Sequence, residues 1–211
     1  MIGSILVFPA AGPLYCGFGL SGGATRPGSS VTRKSAPGKG RNQRGDATMN
    51  STDLTGHLLV ALPTLQDSNF EHSVVYLCSH GDEGAMGVIL NHPSTVTLGQ
   101  VLDQLEITTT DLAVQEEPVF SGGPVQPEQG FVLHSADRMW DQSMPVSEFS
   151  ALTSSRDILE AIAGGQGPGR FRLMLGYAGW GPGQIESELQ QDAWLTAPAS
   201  CAAPTGGMAT T

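Results

Sequence analysis

From Gly56 onward the apolar positions fall in short runs set between turn residues. Leu58-Leu-Val-Ala-Leu62 is an unbroken apolar run of strand length, stopped by Pro63, which has no amide to give to a sheet. Ser73-Val-Val-Tyr-Leu-Cys78 is β-branched and aromatic, and Met86-Gly-Val-Ile-Leu90 follows it after the turn His80-Gly-Asp-Glu-Gly84. Val119-Phe120, Gly130-Phe-Val-Leu-His134 and Phe171-Arg-Leu-Met-Leu175 read as further strands.

Three segments have helical spacing. Thr97 with Gln100 makes a capping-box pair, and Leu98, Val101, Leu102 and Leu105 then form one apolar stripe. A second helix is expected from Arg156 to Ala163, capped by Ser154 or Ser155, closed by Gly164 and buried through Ile158, Leu159 and Ile162. A third follows the glycines at 179–183, with Ile185 and Leu189 inward. Strands and helices mix without strict βαβα alternation, so the expected class is α+β, one domain over residues 49–198.

The two ends lack this patterning. Residues 1–48 are rich in Gly, Pro, Ser and Arg and carry six basic side chains against Asp46 alone. Such a segment buries too little to offset its ordering entropy and is expected to be disordered. Pro9, Gly12 and Pro13 interrupt its apolar start and no basic n-region precedes it, so an over-extended start, with the protein proper beginning at Met49, fits better than a secretory signal. Residues 199–211 are likewise read as an unstructured tail.

Charge narrows the function classes. The formal net charge is −10, yet beyond residue 48 only Arg138, Arg156, Arg170 and Arg172 answer nineteen acids, and lysine is absent. Nucleic-acid affinity rests on cations that displace counterions, so direct nucleic-acid binding is not expected, nor is attraction to anionic lipid. No apolar run reaches the roughly 18 residues that a membrane-spanning helix needs. Cys16, Cys78 and Cys201 are too scattered for a disulfide framework and point to a reducing, cytoplasmic setting.

Candidate chemistry is sparse. Leu175-Gly-Tyr-Ala-Gly-Trp-Gly-Pro-Gly-Gln184 reads as a glycine-rich loop between strand and helix, able to present amides to an anion or simply to let backbones pass closely. Its spacing is neither a Walker loop nor G-x-G-x-x-G. Ser121-Gly-Gly-Pro-Val125 is a second such loop. The candidate ligand-binding residues are therefore Asn91, His92, Gly122, Gly123, His134, Tyr177, Gly179, Trp180 and Gly181. Cys78 and His80, two apart on a strand, should share a face, which makes Cys78 a redox candidate or a buried strand thiol. His57, His72, His80, His92 and His134 show no metal-ligand spacing, and neither a metal nor a cofactor is expected. Glu116-Glu117 and Glu186/Glu188 read as solvated faces, and no residue is assigned a catalytic role.

Blocks in one order resemble the YqgE/AlgH family: Gly56-His-Leu-Leu-Val-Ala-Leu-Pro63, Asp67-Ser-Asn-Phe-Glu-His-Ser-Val-Val-Tyr-Leu-Cys-Ser-His80, Gly84-Ala-Met-Gly-Val-Ile-Leu-Asn-His-Pro93, Gly122-Gly-Pro-Val125, Gly130-Phe-Val-Leu-His134, Leu175 to Glu186 and Ala193-Trp-Leu-Thr-Ala-Pro198. The resemblance implies a bifurcated mixed β-sheet folded into a pseudo-barrel with a few packed helices outside. It implies no established enzyme activity, and a role in transcriptional regulation that, for so acidic a body, would run through a protein partner. Family members continue past the Trp-Leu-Thr-Ala-Pro block, so a frameshift or truncation near Ser200 is a further expectation. The rival expectation is an enzyme or small-ligand sensor whose pocket joins the two glycine-rich loops to Cys78/His80 or His92/His134.

Overall fold

The computed structural model describes residues 53–199; the expectations for residues 1–48 and for the tail from Ser200 lie outside it. In chain order the elements are β1 (His57–Ala61), β2 (Val74–Gly81), β3 (Gly84–Ile89), β4 (Pro93–Thr97), α1 (Leu98–Gln104), α2 (Leu112–Glu116), β5 (Pro118–Ser121), β6 (Val125–Ser135), β7 (Ser143–Pro145), β8 (Ser150–Thr153), α3 (Arg156–Ala163), β9 (Phe171–Trp180), α4 (Gln184–Gln190) and β10 (Trp194–Pro198). The expected strands and the three expected helices are present. To them the structure adds β4, β7, β8, β10 and the short α2.

The strands make one ten-stranded sheet with the main path β10-β1-β2-β3-β9-β6-β8-β7. It curls into a half-barrel and is antiparallel except where β5 runs parallel to β9. Strand β9 is where the sheet divides. Along one edge it pairs with β5 at Met174 and Leu175 and then with β3 at Ala178, Gly179 and Trp180, while β6 holds its other edge.

Both sides of the curled sheet are filled. Inside, Tyr76, Cys78, Val88, Phe131, Leu133, Leu152 and Met174 bring the two halves of the sheet together. Outside, α1 and α3 cover Val119, Val132 and Leu173, and α4 covers Leu59, Val75, Leu77 and Ile89. Each helix begins as its sequence dictates. Thr97 caps α1, and its amide donates to Gln100 Oε1 at 3.0 Å. Ser155 opens α3 and Gly164 ends it. Gly183, left-handed at φ 70°, starts α4.

Two irregularities break the in–out alternation of strands. In β2 the register shifts between Leu77 and Ser79, and in β9 Gly176 has φ +74°. Before Gly176 the outward residue is Leu173 and the inward one Met174; after it Ala178 faces out and Tyr177 in. These two breaks set the faces taken by His80, Tyr177 and Trp180.

Candidate functional site

Gly176 forms the crotch of the divided sheet, and the Ser121–Val125 turn wedges into it. Gly122 donates its amide to Leu175 O at 2.7 Å and accepts from Ile89 N–H at 2.9 Å, so it belongs to both branches. A Cβ on Gly122 would stand 2.2 Å from Gly176 O, and one on Gly123 (φ +151°) would stand 2.2 Å from the Tyr177 carbonyl carbon. Glycine is required here because backbone touches backbone. The Gly122 amide that could have faced an anion is already spent on Leu175. The stretch Leu175–Gln184 is moreover not one loop: it is strand through Trp180, and only Gly181, Pro182 and Gly183 connect β9 to α4.

Asn91 and His92 lie beside this wedge, where β3 passes into β4. Asn91 Oδ1 accepts from Val74 N–H and its Nδ2 donates to His72 O, both at 2.8 Å, so its amide staples the start of β2. His92 accepts from Ser121 N–H through its carbonyl at 2.8 Å, and its Nε2 lies 3.3 Å from the buried Ser73 hydroxyl. Asn91, His92, Gly122 and Gly123 are thus brought together, with Tyr177 behind them packing edge-on to Phe131.

Other candidates lie elsewhere. Trp180 and Trp194 both donate their indole N–H to Glu188 Oε2, at 3.1 and 2.7 Å, and Phe70 stacks on Trp180. Gly181 N–H donates to Gln184 Oε1 at 3.0 Å, and Gln184 Nε2 donates to Glu188 Oε1 at 2.8 Å. Glu188 is therefore not the solvated carboxylate its sequence context suggests; it pins α4 to two strands. Glu186 is engaged as well, 3.1 Å from His80 Nε2, while His80 Nδ1 accepts from Leu54 N–H.

The break in β2 overturns the expectation that Cys78 and His80 share a face. Cys78 points inward beside Tyr76 and Val88, whereas His80 points outward to α4. The Cys78 thiol is 1% exposed, donates weakly to Tyr76 O, and is pushed up to about 12 by burial, so it stays protonated. His134, 0% exposed, lies on the outer side under Trp140. Its Nδ1 meets Ser135 O at 2.9 Å and its Nε2 meets Thr153 Oγ1 at 2.8 Å, which in turn meets Ser143 Oγ at 2.6 Å. With Nδ1 as donor, Nε2 accepts from Thr153 and the ring is neutral. Burial lowers its pKa from the usual 6.5, against the opposing bond to Ser135 and the charge of Asp137.

Arg172 escaped the sequence reading. Its guanidinium donates to Leu90 O at 2.8 Å, lies 4.4 Å over the Phe120 ring and faces Glu117, whose carboxyl burial raises. The available signal was a lone strand cation in so acidic a body. Among the described residues no three His, Cys, Asp or Glu side chains group to hold a metal ion, and no helix is long and apolar enough to cross a membrane.

Comparison with known proteins agrees with this architecture. A family model described as AlgH-like matches residues 58–205. A UPF0301 protein of Stenotrophomonas maltophilia is 55% identical over 148 residues, 70% of this chain and 79% of that protein. Another from Xanthomonas campestris is 54% identical over 147 residues, 70% of this chain and 78% of its own. The solution structure of the AlgH protein from Pseudomonas aeruginosa superposes with a TM-score of 0.65 at 41% identity, covering 74% of this chain and 82% of that one. A Corynebacterium diphtheriae protein at 23% identity, TM-score 0.59, shares the fold over 74% of this chain and 82% of its own.

Proposed function

This chain belongs to the AlgH-like family, a family of unknown biochemical function, and on that footing we propose that it is a non-enzymatic interaction protein of the cytoplasm that regulates through a protein partner. One observation carries the reading: Cys78, His134 and His80 lie apart from one another, each with its hydrogen bonds made within the protein. Cys78 is an inward thiol, His134 a buried neutral ring held by Ser135 and Thr153, and His80 a partner of Glu186. Nucleophilic catalysis needs a nucleophile within reach of a base and of oriented donors for the oxyanion, and these groups supply none of the three together. The nineteen acids beyond residue 48 also argue against an operator contact, so transcriptional regulation would be indirect.

Photo-crosslinking in living bacteria, read by mass spectrometry, tests the reading alongside a low-salt gel shift and a screen of ester, amide, phosphate and glycoside substrates. The expected result is one recurrent protein adduct, no shifted DNA and no turnover. Turnover abolished by Cys78→Ser or His134→Gln, or a salt-sensitive DNA shift, would overturn it.

A further inference from the structure

We propose that helix α2, with the groove it forms against α1, is the surface that receives the partner, and that the partner offers a cationic amphipathic segment, arginine or lysine flanking an apolar side chain. This rests on the interaction reading above and names the surface and the chemistry. Helix α2 has five residues and buries none of them, whereas α1 and α3 each bury three. A helix so short does not persist without help; Val114 packs in part on the core beneath α1, and the rest of the help is local. Asp111 Oδ1 accepts from Ala113 N–H at 2.9 Å, and Gln115 seats against Gly99, where a Cβ would stand 2.9 Å from Gln115 O. The backbone of α2 is thus held in place while its outer face covers nothing. Leu112 on that face is 70% exposed, more than Met139, Phe149 or Leu195.

The groove has a volume of about 540 Å³ and is walled by Gln100, Asp103, Thr109, Gln115 and Glu116. From Thr97 to Glu117 the chain carries five carboxylates and no base. Glu117 faces Arg172, but Asp103, Glu106, Asp111 and Glu116 are exposed and form no ion pair among the described residues. Glu160, Glu186 and Glu188, by contrast, are answered within the chain, by Arg156, His80 and two indoles. Unanswered negative charge beside an exposed leucine complements a positive, partly apolar segment and repels nucleic acid and anionic lipid alike.

The test titrates the isotope-labelled full chain with acetyl-(Arg-Leu-Ala)4-amide and with its Glu-Leu-Ala counterpart, following amide shifts. The basic peptide should move resonances within residues 97–117 and the acidic one should move none. Asp103→Asn with Glu116→Gln should weaken binding about fivefold, Leu112→Ser about threefold, and the remote pair Glu128→Gln with Glu148→Gln should leave it unchanged. No binding, shifts spread over all acidic surfaces, or indifference to Leu112→Ser overturns the assignment. Each of those outcomes leaves the interaction reading intact, since turnover or DNA binding decides that separately. All the substituted positions are exposed, so undisturbed resonances elsewhere verify the fold.

Discussion

Helices α1 and α3 cover their half of the outer sheet with Leu98, Val101, Leu102, Ile158, Leu159 and Ile162, an aliphatic layer against Val119, Val132 and Leu173. Helix α4 covers the other half with Ile185 as its one buried residue, and depends on polar bonds: two indoles to Glu188, Gln184 to the same carboxylate, Glu186 to His80. The first half is held by area removed from water, which is non-directional and tolerant of small shifts. The second has a buried apolar cluster of its own and adds geometry to it, because each donor of α4 must meet its acceptor. The family-like block Gly-Trp-Gly-Pro-Gly-Gln-Ile-Glu is thereby explained as the fastening of a short helix.

The contrast is broken most directly by truncating one residue in each layer. Leu159→Ala empties a fully buried position between α3 and the sheet, and should cost about 3 kcal/mol in urea unfolding. In a Trp140→Phe background, which removes the indole packed on the aliphatic cluster, Glu188→Ala should cost about 2 kcal/mol by leaving two indole N–H groups without an acceptor, and should change tryptophan emission, which Leu159→Ala should not. Glu188→Gln keeps one carbonyl oxygen and should lose less. Equal emission changes in the two truncations would refute the division into an aliphatic and a polar face.

The aliphatic face was the more legible one. Its i, i+3, i+4 spacing and its caps are local features, and Thr97, Gln100, Ser155 and Gly164 stand where that pattern puts them. Of the polar face, helix α4 with Ile185 and Leu189 inward was legible, but its polar bonds were not, because they depend on the two places where strands stop alternating. A period of two continued through Cys78 puts His80 on the wrong side, and continued through Gly176 it sends Tyr177 outward and Trp180 inward, the reverse of where they lie. Strands β4, β7, β8 and β10 were missed for another reason: Pro93-Ser-Thr-Val-Thr97, Ser143-Met-Pro145, Ser150-Ala-Leu-Thr153 and Trp194-Leu-Thr-Ala-Pro198 are brief and contain Ser, Thr or Pro, and pairing to neighbours makes them strands. Asn91, His92, Gly122 and Gly123 were singled out together and do meet, though as the seam of a divided sheet.

Acid should separate the two faces next. His134 belongs to the rim of the aliphatic face, through Trp140, and burial holds its folded pKa below the ordinary 6.5. Below pH 6.5 the unfolded chain takes up this proton more readily than the folded one, so the stability this group confers is complete above 6.5 and drains away as pH falls toward the folded value. Hydrogen exchange at Leu133, Thr153 and the first turn of α3 should accelerate in that window, and His134→Gln should flatten the response. Acceleration confined to α4 instead would assign the acid-sensitive element to the other face.

The finest distinction lies between two glutamines that each receive an amide at the start of a helix. Gln100 Oε1 accepts from Thr97 N–H and Gln184 Oε1 from Gly181 N–H, both at 3.0 Å. In α1 the bond is an addition to a helix already held by three buried side chains, so Gln100→Ala should cost about 0.5 kcal/mol. In α4 the same side chain also donates to Glu188 and so orients the acceptor of both indoles. Gln184→Ala should therefore cost about 1 kcal/mol and, unlike Gln100→Ala, should lessen the cost of a subsequent Glu188→Ala, because the two residues act on one acceptor. The double-mutant cycle measures that coupling. A coupling of zero would mean that α4 is held by Ile185 after all, and that its polar bonds decorate a helix fastened like the other two.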